Sequence, residues 1–273
     1  QWPSSAASDV YKRQILNIDS LTYAGNIKNL ASINTTKYNF VKQDICNTKK
    51  INKVFQKFQP TVVVHFAAET HVDRSLKNPD IFIQTNILGT YSLLEASLKN
   101  KIKRFHHIST DEVFGSLDLD TTEKFSEKTN YNPHSPYSAS KAGSDHLVRA
   151  YADSYNLPIS ITNCSNNFGP YQYPEKFLPR IITNLIDNKK IPLYGDGKNV
   201  RDWLYVEDHC RAIESVILNE STLGKTYCVG GNNKDISNLD IANMVLDIMK
   251  LDSSYIEFIK DRPGHDLKYA VNW

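Results

Sequence analysis

Tyr137 and Lys141 are four residues apart, a spacing that places both side chains on one face of a helix. A lysine ammonium some 4–5 Å from a phenol would favour the phenolate by about 3–4 kcal/mol at an effective dielectric constant near 20. We therefore expect Tyr137 to titrate near neutrality and to act as a base. The spacing alone is weak evidence, because Tyr38 and Lys42 repeat it in a predicted strand, where we assign it no function.

Two adjacent acidic residues, Asp111 and Glu112, follow Thr110 at the end of another predicted strand. A pair of carboxyl groups can provide one acid and one base if their surroundings separate their pKa values. Acidic residues after a strand also commonly cap the next turn or helix, and capping is the alternative explanation here. Strand-end acids that face a helical tyrosine–lysine pair nevertheless have the composition of a catalytic site.

Short β-branched segments alternate with helical periodicity along the first part of the chain. This alternation indicates βαβ units, and hence a Rossmann-like, mostly parallel α/β sheet with helices on both faces. The predicted strands are 15–18, 39–42, 61–66, 104–108 and 157–162, and the predicted helices are 51–58, 81–98 and 135–154. Glycine and proline then become frequent, so we expect a smaller, loop-rich substrate lobe from about residue 165.

Polar residues follow four of these strands, and ligands bind at the carboxyl ends of strands in open α/β sheets. Asp19, after the first strand, could accept both ribose hydroxyls of NAD and would repel the phosphate of NADP. As a single residue it could equally form a turn. The strand ends nevertheless predict one crevice lined by polar groups.

The composition limits the classes of protein to which this chain can belong. It has 273 residues, 40% of them hydrophobic, and a formal net charge of +2 with scattered basic residues. Nothing argues for nucleic acid or a membrane surface, because there is no basic run and no apolar stretch near the roughly 18 residues of a membrane span. The four cysteines lack metal-ligand spacing, so we expect no metal site, reduced thiols and a cytoplasmic location.

Six longer motifs, together with Tyr137 and Lys141, resemble the bacterial dTDP-glucose 4,6-dehydratases, which are extended short-chain dehydrogenase/reductases. They are DSLTYAGN at 19–26, HFAAETHVD at 65–73, ISTDEVFG at 108–115, CSNNFGPY at 164–171, VRDW at 200–203 and DRPGHD at 261–266. The resemblance runs from about residue 15 to residue 271, with the motifs in the family's order. It implies dTDP-glucose as the substrate, NAD as the cofactor and a homodimer.

The resemblance also assigns residues to each ligand. The implied NAD contacts are Asp19, Ser20, Leu21, Thr22, Asp44, Ile45, Ala67, Ala68, Glu69, Thr70, His71, Thr85, Tyr137, Lys141 and Asn167. The implied nucleotide-sugar contacts are His71, Thr110, Asn166, Lys176, Phe177, Pro192, Leu193, Tyr194, Arg201, Asn238, Arg262, Pro263, Gly264, His265 and Asp266. Lys176, Arg201 and Arg262 suit a diphosphate, because cationic side chains bind paired oxygens.

The implied reaction begins with oxidation at C4, since only a ketone there makes the C5 proton acidic enough to remove. Tyr137 would take the C4 hydroxyl proton, Lys141 would lower the pKa of Tyr137, and Thr110 would hydrogen-bond the developing oxygen. Glu112 would then remove the C5 proton while Asp111 protonates the departing C6 hydroxyl. Hydride return to C6 would give dTDP-4-keto-6-deoxyglucose.

Two other functions stay open. A UDP-sugar 4-epimerase would share the tyrosine–lysine pair but would have no use for Asp111 and Glu112, and the choice of thymine over uracil rests on the resemblance alone. A non-catalytic nucleotide-binding protein or an inactive fragment is also possible, because residues 1–14 contain no glycine. We expect this stretch to be unrelated to the family, the first βα unit and part of the C-terminal lobe to be absent, and NAD binding to be weak. The expected domains are 15–164 for NAD and 165–273 mainly for the nucleotide sugar.

Overall fold

A computed structural model of the chain describes residues 14–33, 36–231 and 234–273. The stretch 1–14, expected to be unrelated to the family, lies outside the described residues except for its last position. The strands are β1 Ile15–Asp19, β2 Tyr38–Lys42, β3 Val62–His65, β4 Arg104–Thr110, β5 Ile159–Cys164, β6 Asn166–Phe168, β7 Ile191–Tyr194, β8 Val200–Arg201, β9 Trp203–Tyr205, β10 Thr226–Val229, β11 Ile236–Ser237 and β12 Ile256–Ile259.

The helices cover both faces of the sheet and also build the C-terminal lobe. They are α1 Thr48–Phe58, α2 Val72–Lys77, α3 Asp80–Phe82, α4 Thr90–Lys99, α5 Pro136–Tyr155, α6 Phe177–Ile186, α7 Val206–Leu218 and α8 Asn238–Met249. Within the described ranges, no helix is long and apolar enough to cross a membrane.

A parallel sheet with the strand order β10-β5-β4-β3 forms the centre of the molecule. A second parallel pair, β1-β2, lies apart from it, and no strand among the described residues joins β1 to β3. The predicted Rossmann-like, mostly parallel sheet is therefore confirmed. β10 also pairs in this sheet, although it comes from the part of the chain expected to form mainly the substrate lobe. The chain therefore returns to the sheet after entering that lobe.

The two faces of the sheet pack against different helices because side chains alternate along a strand. On one face, Phe105 and Ile161 join a buried cluster with Ile51 of α1 and Leu94 of α4. On the other face, a second buried cluster contains Ile213 of α7. All seven residues of β4 are buried, as expected for a strand with neighbours on both sides and helices on both faces.

The predicted helix 81–98 is correct as a helical segment but wrong as one regular α-helix. Residues Ile83–Gly89 form a π-helix between α3 and α4. The wider turn places the Asn86 side chain in the interior, where it is 1% exposed and bonded to other segments. Hydrophobic periodicity carries no information about such tertiary hydrogen bonds. The sequence therefore could not predict this irregular turn.

The C-terminal lobe is built from short strand pairs and two helices. β12 pairs with β7 in parallel, and β11 pairs with β8 antiparallel. Helices α6 and α8 pack on β7 through a buried apolar cluster that contains Ile181, Leu193 and Leu246. This small core supports β7, the starts of α6 and α8 and the loop after β12, which together carry ten of the fifteen predicted nucleotide-sugar residues.

Candidate active site

The carboxyl end of β4 carries the two acidic residues of the site. β4 continues to Thr110, two residues beyond the predicted end, and a 3₁₀ turn, Asp111–Phe114, follows at once. Thr110 caps this turn, since its side-chain oxygen accepts from the Glu112 N–H at 3.3 Å. The capping role considered for the acids therefore belongs to Thr110, and both carboxyl groups are left for other contacts.

The Tyr137–Lys141 pair lies at the start of α5 because local signals fix where that helix begins. Ser135 and Ser138 form a reciprocal capping box, and Pro136 occupies the first helical position. Tyr137 and Lys141 are both buried. The Lys141 ammonium donates to the Ile108 carbonyl oxygen at 2.7 Å, which ties the helix to β4 next to the acids.

The expectation that Tyr137 titrates near neutrality is wrong for the free chain. Burial raises the pKa of Tyr137 well above its usual value, and the charge of Glu112 raises it further. A side-chain hydrogen bond with Thr110 opposes the shift without reversing it. Burial also lowers the pKa of Lys141, although the charges of Asp145 and Cys164 oppose that shift, so desolvation is the largest influence on both side chains.

Asp111 and Glu112 have different electrostatic surroundings. Burial, followed by the charge of Glu112, raises the pKa of Asp111 well above its usual value. The pKa of Glu112 is also raised by burial, but Arg201, Lys176 and Arg262 all oppose that rise. Asp111 is therefore suited to hold a proton at neutral pH, while three cations favour an ionised Glu112.

The three cations come from the C-terminal lobe, and their charges act on Glu112 after the end of β4. Lys176 donates through Nζ to the Thr70 carbonyl oxygen at 2.8 Å. Arg201 donates through Nη2 to the Asp266 carbonyl oxygen at 3.0 Å, and its guanidinium carbon lies 4.3 Å from the ring centre of Tyr269. The Asp266 carboxylate is held separately, by His134 at 2.6 Å and by the Tyr269 hydroxyl at 2.5 Å.

Four of the expected site residues have a buried polar atom without a hydrogen-bond partner among the described residues. These atoms are His71 Nδ1, Asp111 Oδ2, Asn166 Oδ1 and Arg262 Nε. Leaving a buried polar group unpaired costs about 1–3 kcal/mol, so such groups are uncommon in a well-packed protein interior. Within the expected site, these atoms can offer both donors and acceptors to a polar ligand.

A cleft of about 520 Å³ lies at the carboxyl ends of β1 and β2 and fits part of a dinucleotide. Its lining includes Ser20, Thr22 and Asp44, all among the expected NAD contacts. Asp19 ends β1 beside it, although one carboxylate oxygen accepts from the Leu21 N–H at 2.6 Å, as the turn alternative expected. The polar lining suits the hydroxyls and amino group of an adenosine.

The remaining expected residues lie in or next to elements of both parts of the fold. Ala67, Ala68, Glu69 and Thr70 follow β3, His71 precedes α2, Thr85 lies in the π-helix, Asn167 lies in β6, Phe177 begins α6, Pro192 and Tyr194 lie in β7, Asn238 begins α8, and Pro263, Gly264 and His265 follow β12. The side chains of Ile45 and Leu193 are buried in apolar clusters. Any contact of these two residues with a ligand would therefore depend mainly on their backbone.

Comparison with known proteins identifies the family. The model of the GDP-mannose 4,6 dehydratase family matches residues 7–271. The chain belongs to this family. A dTDP-glucose 4,6-dehydratase from Salmonella typhimurium is 48% identical to it, over 94% of this chain and 78% of that protein. These matches confirm the resemblance inferred from the motifs.

Solved structures agree with this assignment to the 4,6-dehydratase family. A dTDP-glucose 4,6-dehydratase from Streptomyces venezuelae, solved with NAD bound, has a TM-score of 0.92 and 41% identity, covering 98% of this chain and 82% of that one. A UDP-glucuronic acid 4-epimerase from Bacillus cereus, also solved with NAD, has a TM-score of 0.87 but only 28% identity, covering 98% of this chain and 85% of that one. The fold is thus shared with the epimerases, while sequence identity is higher to the dehydratase.

This member of the family also has buried residues next to the site that the sequence analysis missed. Asp145 lies one helical turn beyond Lys141 and is fully buried; its Oδ2 accepts from Ser109 and Tyr131, both at 2.8 Å. The spacing of four from Lys141 could have indicated it. Asn86 gave no signal, because its side chain bonds only to Glu69 and Ser140 among the described residues, 17 and 54 positions away.

Proposed function

We propose that this chain is an NAD-dependent dTDP-glucose 4,6-dehydratase, a lyase that forms dTDP-4-keto-6-deoxyglucose. The observation that carries the proposal is the unequal pair Asp111 and Glu112, placed at the β4 end beside Tyr137. Both pKa values are raised by burial. Three cations oppose the rise at Glu112, whereas at Asp111 the charges of Glu112 and Asp202 add to the rise and Arg201 opposes it. Such a pair supplies one acid and one base, which a 4,6-dehydration needs. The names of the relatives at 46–48% identity supply the nucleotide and the sugar.

The first step concerns the C4 hydroxyl. NAD, when bound, supplies the hydride acceptor for oxidation at C4 and returns the hydride to C6. Tyr137 accepts the C4 hydroxyl proton, and Thr110, which shares a hydrogen bond with Tyr137, stabilises the developing oxygen. Because Tyr137 is protonated in the free chain, its pKa must be lower in the reactive complex.

The second step eliminates water. Glu112 accepts the C5 proton, which the C4 ketone has made acidic, and Asp111 gives its proton to the departing C6 hydroxyl. The C5–H and C6–O bonds break, a C5=C6 double bond forms, and water leaves. Arg201 and Lys176 favour the ionised form of Glu112, while burial keeps the Asp111 proton in place. After the hydride returns, a proton is restored to C5.

The proposed reaction also assigns a ligand to each of the two parts of the chain. We propose that residues 15–164 and the returning strand β10 hold NAD, and that the lobe within 165–273 holds the nucleotide sugar through Lys176, Arg201 and Arg262. The cofactor contacts and nucleotide-sugar contacts expected from the motifs belong to this proposal. Asn166 Oδ1 and Arg262 Nε, both buried and unpartnered in the described residues, support it.

We also propose a homodimer in the cytoplasm. Ile83, Leu88 and Tyr91, in the helical segment from α3 to α4, are 43%, 44% and 43% exposed, which favours an interaction surface. All four cysteines lie in the described ranges and are free thiols, as is usual in a reducing compartment. Light scattering after gel filtration tests the dimer.

Mass spectrometry tests the reaction directly. The protein is incubated with dTDP-glucose and NAD, and a product lighter by one water is expected. Glu112→Gln is the matched control and should form no such product. A product of unchanged mass with inverted configuration at C4 would instead identify an epimerase. Parallel incubation with UDP-glucose tests the base, since a faster reaction with UDP-glucose would contradict the thymine assignment.

A further inference from the structure

Asp73, in the first turn of α2, connects the β3 side of the site to the C-terminal lobe. One carboxylate oxygen accepts from Arg262 Nη1 at 2.9 Å, and the other accepts from the Tyr194 hydroxyl at 2.9 Å. The two partners lie 189 and 121 residues further along the chain. Both partners are expected nucleotide-sugar contacts. Asp73 ends the motif at 65–73 but is not among the residues expected to contact a ligand.

Besides its bond to Asp73, the Arg262 side chain lies near the ring of Tyr194. Its guanidinium carbon lies 5.8 Å from the ring centre of Tyr194, and the ring of His265 meets the same tyrosine edge-on at 5.9 Å. His265 in turn pairs with Asp261 at 2.6 Å. Asp73 thus anchors a cluster of three expected substrate residues that come from β7 and from the loop after β12.

Part of the Arg262 guanidinium stays available to a ligand. Its Nη1 binds Asp73, whereas its buried Nε has no hydrogen-bond partner among the described residues. A planar guanidinium fixed by a carboxylate on one nitrogen presents its other N–H groups in a set direction. Arg262 also acts on the pKa of Glu112 and on that of Lys176, which places its charge in the same pocket.

We propose that Asp73 is a positioning residue for the nucleotide-sugar diphosphate: it orients Arg262 and Tyr194 so that the free guanidinium N–H groups meet the phosphate oxygens. This inference rests on the proposed function, because it assumes a diphosphate ligand. Although burial opposes it, the hydrogen bond and charge of Arg262 lower the pKa of Asp73, so the carboxylate stays ionised at neutral pH. Asp73 needs no contact with the substrate for this role.

Binding of dTDP and dTMP by titration calorimetry tests the proposal. Asp73→Asn keeps the size of the side chain but weakens the charge-assisted bond to Arg262, so the Kd of dTDP should rise about tenfold. The Kd of dTMP should rise less, because dTMP lacks the second phosphate. Tyr194→Phe keeps the Asp73–Arg262 pair and should have a smaller effect on the Kd of dTDP. The matched control is Asp187→Asn, which breaks an exposed ion pair with Lys189 and should leave both Kd values unchanged.

Steady-state kinetics separates positioning from a general loss of structure. Asp73→Asn should raise the KM for dTDP-glucose with kcat changed less than about twofold, and Asp73→Glu should recover part of the affinity. An unchanged Kd for dTDP, an equal loss for dTMP, or a fall in kcat at constant KM would overturn the role of Asp73. If the wild-type protein itself fails to bind dTDP, the proposed function fails first and the role of Asp73 fails with it.

Discussion

Asn86 is expected to anchor the segment that follows β3, and Asn86→Ala tests this. The side chain is 1% exposed. Its Oδ1 accepts from the Glu69 N–H at 2.8 Å, and its Nδ2 donates to the Glu69 carbonyl at 3.0 Å and to Ser140 Oγ at 2.8 Å. The amide therefore satisfies both backbone groups of Glu69, as a neighbouring strand would, and joins that segment to α5.

The expected cost follows from the groups that lose their partners. Ser140 keeps a bond, because its hydroxyl donates to the Tyr137 carbonyl at 2.7 Å. The two backbone groups of Glu69 lose their Asn86 partner, at about 1–3 kcal/mol each if water cannot reach them. Glu69 is only partly buried, so some hydration will return. We expect Asn86→Ala to lower the free energy of unfolding by about 2–4 kcal/mol.

Urea unfolding of the two proteins measures this change. Asn100→Ala is the matched control: its amide donates one bond to the Ala96 carbonyl at 2.7 Å near the end of α4, and its loss should cost about 1 kcal/mol. The affinity for NAD should also fall in Asn86→Ala, because the loosened segment carries expected cofactor contacts. A loss of stability no larger than that of Asn100→Ala would show that Asn86 does not anchor the segment.

Four further predictions concern the acids, a neighbouring cation and the turn that carries the acids. Glu112→Gln should block elimination but permit C4 oxidation, so the absorbance of reduced nicotinamide should rise on mixing with substrate. No such rise would contradict the assignment of elimination, and not oxidation, to Glu112. Glu112 must be ionised, and burial raises its pKa above 4.5, so kcat should fall as pH drops through that raised value. Lys176→Gln removes a charge that lowers this pKa and should move the acidic limb to higher pH; an unmoved limb would argue against Glu112 as the base. Gly115→Ala should destabilise the chain by about 1–3 kcal/mol and reduce activity, because φ is 92° and the new Cβ would lie 2.5 Å from the Asn132 carbonyl oxygen. Gly224→Ala, at φ 76° with nothing within 4 Å of the new Cβ, separates backbone strain from the clash when both variants are unfolded in urea.

The sequence by itself determined the features that depend on neighbours along the chain. β-branched runs and helical periodicity predicted the parallel sheet, and the capping box at Ser135 sets the start of α5 independently of distant contacts. The direction of a parallel strand decides which end carries ligands, so the order of residues along β4 was enough to place Thr110, Asp111 and Glu112 at the crevice. The motifs likewise identified the family that the comparisons confirm.

Tertiary structure decided what depends on desolvation and on segments far apart in sequence. The charge of Lys141 was expected to lower the pKa of Tyr137, but burial raises it, and burial is not encoded in a four-residue spacing. The π-helix around Asn86 and the bonds of Asp73 to Arg262 and Tyr194 form only when separate segments pack together. Local periodicity therefore positions the predicted catalytic residues, whereas their protonation states and the contacts that support them arise from the folded interior, where water is excluded and distant charges meet.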